Sequence, residues 1–117
     1  TLFEPHFRRN YIHVDDVVNG IIFSLINFNK LKSNIYNLGL SSANLTKYML
    51  AKKIKNKLKY LKIKIVYNKK DPDQRDYFVS NKKIEKKGFK PKISIEHGIS
   101  ELIKVFSYSK EKIIENY

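Results

Sequence analysis

A chain of 117 residues, 42% of them hydrophobic, can bury one core and hardly two, so one small domain is expected. The absence of cysteine excludes a disulfide framework and a thiolate metal site and fits a reducing, cytoplasmic setting. No run of about 18 apolar residues and no signal-peptide pattern occurs, so neither a membrane span nor secretion is expected.

The chain opens at Thr1 rather than Met, which suggests a segment of something longer. The first predicted helix carries Val17, Val18, Ile21, Ile22, Leu25 and Ile26, a single apolar stripe that predicts a well-buried helix. Asp15 or Asp16 is its expected N-cap. "NIYNLGL", Asn34 to Leu40, predicts a short strand ending at Gly39. Asn44 is the expected cap of a second helix with Leu45, Tyr48, Ala51, Ile54 and Leu58 on its inner face. "KIKIVY", Lys62 to Tyr67, alternates at period two and predicts a half-exposed strand. Beyond the turn signal "KKDPDQ", "YFV" predicts a brief strand, Ser80 a cap, and "NKKIEKK" a short helix stopped by Gly88 and Pro91. Ser94 opens the last helix, with Ile95, Ile99, Leu102, Ile103 and Phe106 as its core face.

The formal charge of +13 raises nucleic acid as a partner. Ten lysines from Lys47 to Lys70 follow one another with no acidic residue between them, which makes a basic face. Only Arg8, Arg9 and Arg75 offer the guanidinium fork suited to phosphates and base edges. The lysine-rich helix also lacks the interleaved exposed aromatics of a stacking platform. A solvated lysine surface is therefore the expectation; a small basic nucleic-acid-binding module is the alternative.

Four glycines at 20, 39, 88 and 98 make neither a dinucleotide-binding fingerprint nor a P-loop. His6, His13 and His97 show no metal-ligand spacing. His13, inside "YIHV", is expected to be packed and hydrogen-bonded, with catalysis as the alternative. Tyr-x-x-x-Lys occurs at Tyr48/Lys52, Tyr60/Lys64 and Tyr108/Lys112 and is expected to be accidental in so lysine-rich a chain.

"RRNYIHVDDVVNG", "IYNLGLSSANLT", "DPDQRDYFVSNKKIEKKGFKP" and "SIEHGISELI" occur in the order and spacing of the C-terminal third of NAD-dependent epimerase/dehydratases, the extended short-chain dehydrogenase/reductases acting on nucleotide sugars. The resemblance covers Phe3 to Phe106. It implies an α/β fold, the C-terminal substrate-binding part of a Rossmann-type enzyme. Residues 1–28 would belong to the cofactor-domain layer and 29–117 would form the nucleotide-sugar lobe. Arg9 and Arg75 match arginines that reach the diphosphate or ribose, and Tyr11 joins them as a substrate-binding position. Two planar forks converging on a diphosphate make bidentate, charge-assisted bonds that lysine does not reproduce. The competing expectation is that Arg9 and Arg75 pair with Asp15, Asp16, Asp73 or Asp76. Arg8 has no counterpart, and Asn10 stands where many relatives have Asp.

The family's glycine-rich loop and catalytic residues precede the matched region, so no catalytic residue is carried over. The complete enzyme implied would bind NAD or NADP, take hydride from a sugar carbon, commonly C4, and then epimerise, dehydrate or release the keto sugar. A homodimer of that enzyme is a further implication.

Overall fold

The computed structural model describes residues 1–68 and 70–115, with side chains described through Tyr108 apart from Lys69. Two small ladders and five helices make up the described chain. β1 (Leu2–Phe3) pairs in parallel with β4 (Ile65–Val66), matching Leu2 to Ile65 and Phe3 to Val66. β2 (Arg8–Asn10) runs antiparallel to β3 (Asn44–Thr46), with Arg8 opposite Thr46, Arg9 opposite Leu45 and Asn10 opposite Asn44. The helices are α1 (Val14–Ile26), α2 (Phe28–Leu31), α3 (Lys47–Lys57), α4 (Lys82–Glu85) and α5 (Ile95–Glu115), with a 3-10 turn at Ser41–Ala43 before β3.

α1 forms where its stripe predicts, but His13, not Asp15 or Asp16, caps it. His13 Nδ1 accepts the Asp15 N–H at 3.2 Å. Asp16 instead points inward and is 2% exposed. Its carboxylate accepts the Lys92 and Ile93 backbone N–H groups at 2.8–3.0 Å, tying the approach to α5 onto the first turn of α1. Gly20 sets the other contact of α1: a Cβ there would stand 2.8 Å from the methyl carbons of Leu38.

The expectation that α1 is well buried is corrected. Val18, Ile21, Ile22, Leu25 and Ile26 are 47–78% exposed; the covered side of α1 is the narrower one of buried Asp16 and Gly20 and half-buried Phe23. Phe23 packs on Phe89 with ring centroids 5.4 Å apart. Leu31, Ala43, Leu45, Ile84, Phe89 and Ile99 form the buried apolar core.

Residues 34–40 form no ladder among the described residues, because no neighbouring strand lies alongside. Side chains take up their carbonyls instead: Lys83 Nζ donates to Ile35 at 2.9 Å and Asn10 Nδ2 to Leu40 at 2.8 Å. "YFV" is likewise irregular, held through Asn44, whose amide accepts from the Val79 N–H and donates to its carbonyl at 2.9 and 3.0 Å. Of "KIKIVY" only Ile65 and Val66 pair, although exposed Lys62 and Lys64 alternate with half-buried Ile63 and Ile65 as expected.

Thr46, not Asn44, caps α3, its Oγ1 accepting the Met49 N–H at 3.1 Å. Tyr48, assigned to the inner face, is 41% exposed. Asn81 rather than Ser80 precedes α4. Gly88 ends that segment at φ +106°, a conformation that only glycine adopts readily. Ser94 opens α5 as expected, its Oγ accepting the His97 N–H at 3.2 Å. Ile99 of α5 is buried, whereas Leu102 and Phe106 are 58% and 68% exposed.

Candidate functional site

β2 is extended, so Arg9 and Tyr11 lie two residues apart on one face. The loop from Asp71 to Ser80 folds over that face. Glu4 anchors its start by accepting the Asp71 N–H at 2.7 Å and the Gln74 amide at 3.0 Å. Asp71 and Asp73 then each accept the backbone N–H two residues on, at 2.8 and 3.2 Å, a pair of Asx turns that shapes "DPDQR". Asn44 and Asn37, the latter donating to the Ser80 carbonyl at 3.2 Å, hold its end. Lys47 also pairs with Asp71.

This packing brings Arg75 to Arg9 across 66 positions of sequence. Arg9 Nη1 donates to the Arg75 carbonyl and, at 2.7 Å, to the Arg8 carbonyl. Nη2 reaches Asp73 Oδ2 at 3.1 Å, and the guanidinium lies 5.2 Å from the Tyr77 ring centroid. Arg75 grips Asp73 with both prongs of its fork, at 2.7 and 2.8 Å. Arg8 does the same to Asp76, 3.1 Å on each prong.

Those partners set the electrostatics. The Arg75 side chain holds the Asp73 carboxyl far below the usual carboxylate range, with Arg9 adding to the effect. Arg8 lowers Asp76 and is raised by it in turn. Burial pushes the Tyr11 phenol up, opposed by Arg9 and reinforced by Tyr77. Arg9 thus lies on Tyr77, and Tyr77 also acts electrostatically on Tyr11 and Arg75.

The expected alternative pairing of Arg9 and Arg75 occurs with Asp73; Asp76 is taken by Arg8 instead, and Asp15 and Asp16 lie at α1. Arg9 is fixed, its side chain only 14% exposed, whereas the Arg75 side chain is 75% exposed. That pair is open to solvent, which screens it, so an anion with several oxygens can compete with Asp73 for Arg75.

Two participants were not legible in advance. Tyr77 stacks on Arg9, and the cue available was an aromatic two residues after Arg75. Arg8 closes the loop on Asp76, a pairing 68 residues apart that no local pattern carries.

His13 has the packed, hydrogen-bonded role expected of it. With Nδ1 accepting at the helix cap, Nε2 is the protonated nitrogen and donates to Glu101 at 2.5 Å. Glu101 also meets His97 Nε2 at 3.1 Å, and both histidines lower its pKa, His13 first. Among the described residues no three His, Asp or Glu side chains gather as a metal site, and no helix is long and apolar enough to cross a membrane. Tyr48 and Lys52 sit on α3, Tyr60 and Lys64 sit outside any helix, and Lys112 lies outside the described side chains. The chain matches no model of a known protein family.

Proposed function

We propose that the chain is the nucleotide-sugar-binding lobe of an NAD- or NADP-dependent epimerase or dehydratase, with Arg9, Arg75 and Tyr11 as the substrate-binding residues. The observation that carries this reading is the meeting of a fixed arginine, Arg9, with an exposed one, Arg75, across 66 positions. Such a pair suits a diphosphate: one fork positions it, and the other exchanges an aspartate for phosphate oxygens. Tyr11 and Tyr77 add aromatic surface beside the anion for the nucleoside or sugar.

The ladder-free segment 34–40 and the exposed stripe of α1 also support it, since both lack a neighbouring layer such as a parallel sheet would provide. No glycine-rich cradle exists in this chain, so its residues do not fit the dinucleotide. In this reading the cofactor and the redox chemistry belong to residues outside it.

The test is calorimetric titration of UDP-glucose and dTDP-glucose into the protein that carries this lobe with its cofactor half. Arg9→Lys or Arg75→Lys weakens nucleotide-sugar binding by about 1.5–3 kcal/mol, while NAD binding is unchanged. Equal loss of both ligands, with a lowered melting temperature, would assign the arginines to structural pairing instead.

A further inference from the structure

The acid-free stretch from Lys47 to Lys70 carries a groove of its own. Its lysines fall into two kinds. Lys47 and Lys53 are neutralised by Asp71 and Glu96, and Lys57 also faces Glu96. Lys52, Lys55 and Lys59 have no acidic partner among the described residues, and these three line one cavity of about 380 Å³ together with Tyr48 and Asn56. Positions 48, 52 and 55 share one face of α3 by helical spacing, and Lys59 follows just past its end. Ile63 and Ile65 form the opposite wall.

α3 has no aromatics interleaved among its lysines, as expected, but one ring, Tyr48, stands at its start. Tyr48 lines the groove and is 41% exposed. Unpaired ammonium groups along a concave wall, with an exposed ring at its start, are the two ingredients of single-strand recognition: cations track phosphates and a ring stacks on an unpaired base. Duplex is disfavoured, because its bases are already stacked and the arginines that read base edges in the major groove are absent from this stretch. A flat bilayer cannot enter a groove between a helix and a strand.

We propose that this groove binds single-stranded nucleic acid without sequence preference, with Lys52, Lys55 and Lys59 on the phosphates and Tyr48 stacking on a base. The proposal shares no residue with the arginine cluster and does not depend on the nucleotide-sugar reading.

Fluorescence anisotropy with a labelled oligothymidylate and the 117-residue chain tests it. Replacing Lys52, Lys55 and Lys59 together by Gln weakens binding at least about tenfold and reduces the slope of log K against log salt by about 2, near 0.7 for each phosphate no longer neutralised. Tyr48→Leu, which keeps apolar bulk, weakens binding about five- to tenfold with the salt slope unchanged, and Tyr48→Phe restores it. A control that removes the same charge elsewhere, Lys82, Lys86 and Lys87 to Gln, stays within about twofold of the parent. Equal losses in the two triple variants would reduce the binding to diffuse net charge and overturn the proposal. So would indifference to Tyr48→Leu, or capture by phosphatidylserine vesicles that the oligonucleotide does not compete away.

Discussion

Asp16 and Asn81 are each at most 2% exposed, yet their side chains stand in opposite hydrogen-bonding states. Asp16 accepts from two backbone N–H groups at 92 and 93, whereas neither amide atom of Asn81 finds a partner among the described residues. Removing an acceptor strands buried donors, at about 1–3 kcal/mol, while replacing an unsatisfied polar side chain by an apolar one of similar size is near neutral or stabilising. Urea denaturation is therefore expected to show Asp16→Ala losing about 1–3 kcal/mol and Asn81→Leu losing nothing measurable; the reverse order would contradict this assignment. The same scale explains what could be read of the site. Arg9 and Arg75 stood out because arginine is scarce in a chain rich in lysine. Their grip on Asp73, and Arg8's on Asp76, depends on how the loop from Asp71 to Ser80 folds over β2, which no local spacing encodes.

Among the elements, helices were the more legible, because their signals are local. The stripe from Val17 to Ile26, the Ser94 cap and the Gly88 stop all lie within a turn of what they specify. Strands were less so: 34–40 has a strand's composition, but a ladder needs a partner, and side chains from Asn10 and Lys83 occupy its carbonyls instead. Nor does periodicity tell which side of a stripe is covered. α1 leaves Leu25 70% exposed, while Ile84 and Ile99 are at most 5% exposed. In the 117-residue chain, Ile84→Ala or Ile99→Ala is expected to cost about 2–5 kcal/mol and Leu25→Ala less than about 0.5 kcal/mol, as measured by urea denaturation. Comparable losses at all three would mean that the face of α1 is covered in solution. Hydrogen exchange adds a second comparison, with amides of residues 17–26 expected to open at lower free energy than those around Ile99.

Across the whole molecule, charge and extent act together. The radius of gyration is 17.5 Å, against about 13 Å for a compact domain of this length, so much of the chain's +13 charge is spread over open surface. Five carboxylates are held below their ordinary values by the side chains that hydrogen-bond to them: Asp71 by Lys47, Asp73 by Arg75, Asp76 by Arg8, Glu96 by Lys53 and Glu101 by His13. Because folding depresses these pKa values, their contribution is full above the unfolded values of about 4 and is lost as pH falls through the folded ones. The melting temperature is expected to fall below about pH 4 and to recover partly with added salt, which screens the unopposed cations; a flat profile down to about pH 2 would show that these pairs do not contribute. The arginine cluster is proposed to take the diphosphate of a nucleotide sugar. Hydrogen exchange with and without UDP-glucose or dTDP-glucose, on the protein proposed to carry this chain together with a cofactor-binding part, is the test. Added protection is expected at residues 8–11 and 73–77 and none at 52–59; unchanged exchange at 8–11 and 73–77 under saturating ligand would rule the diphosphate site out.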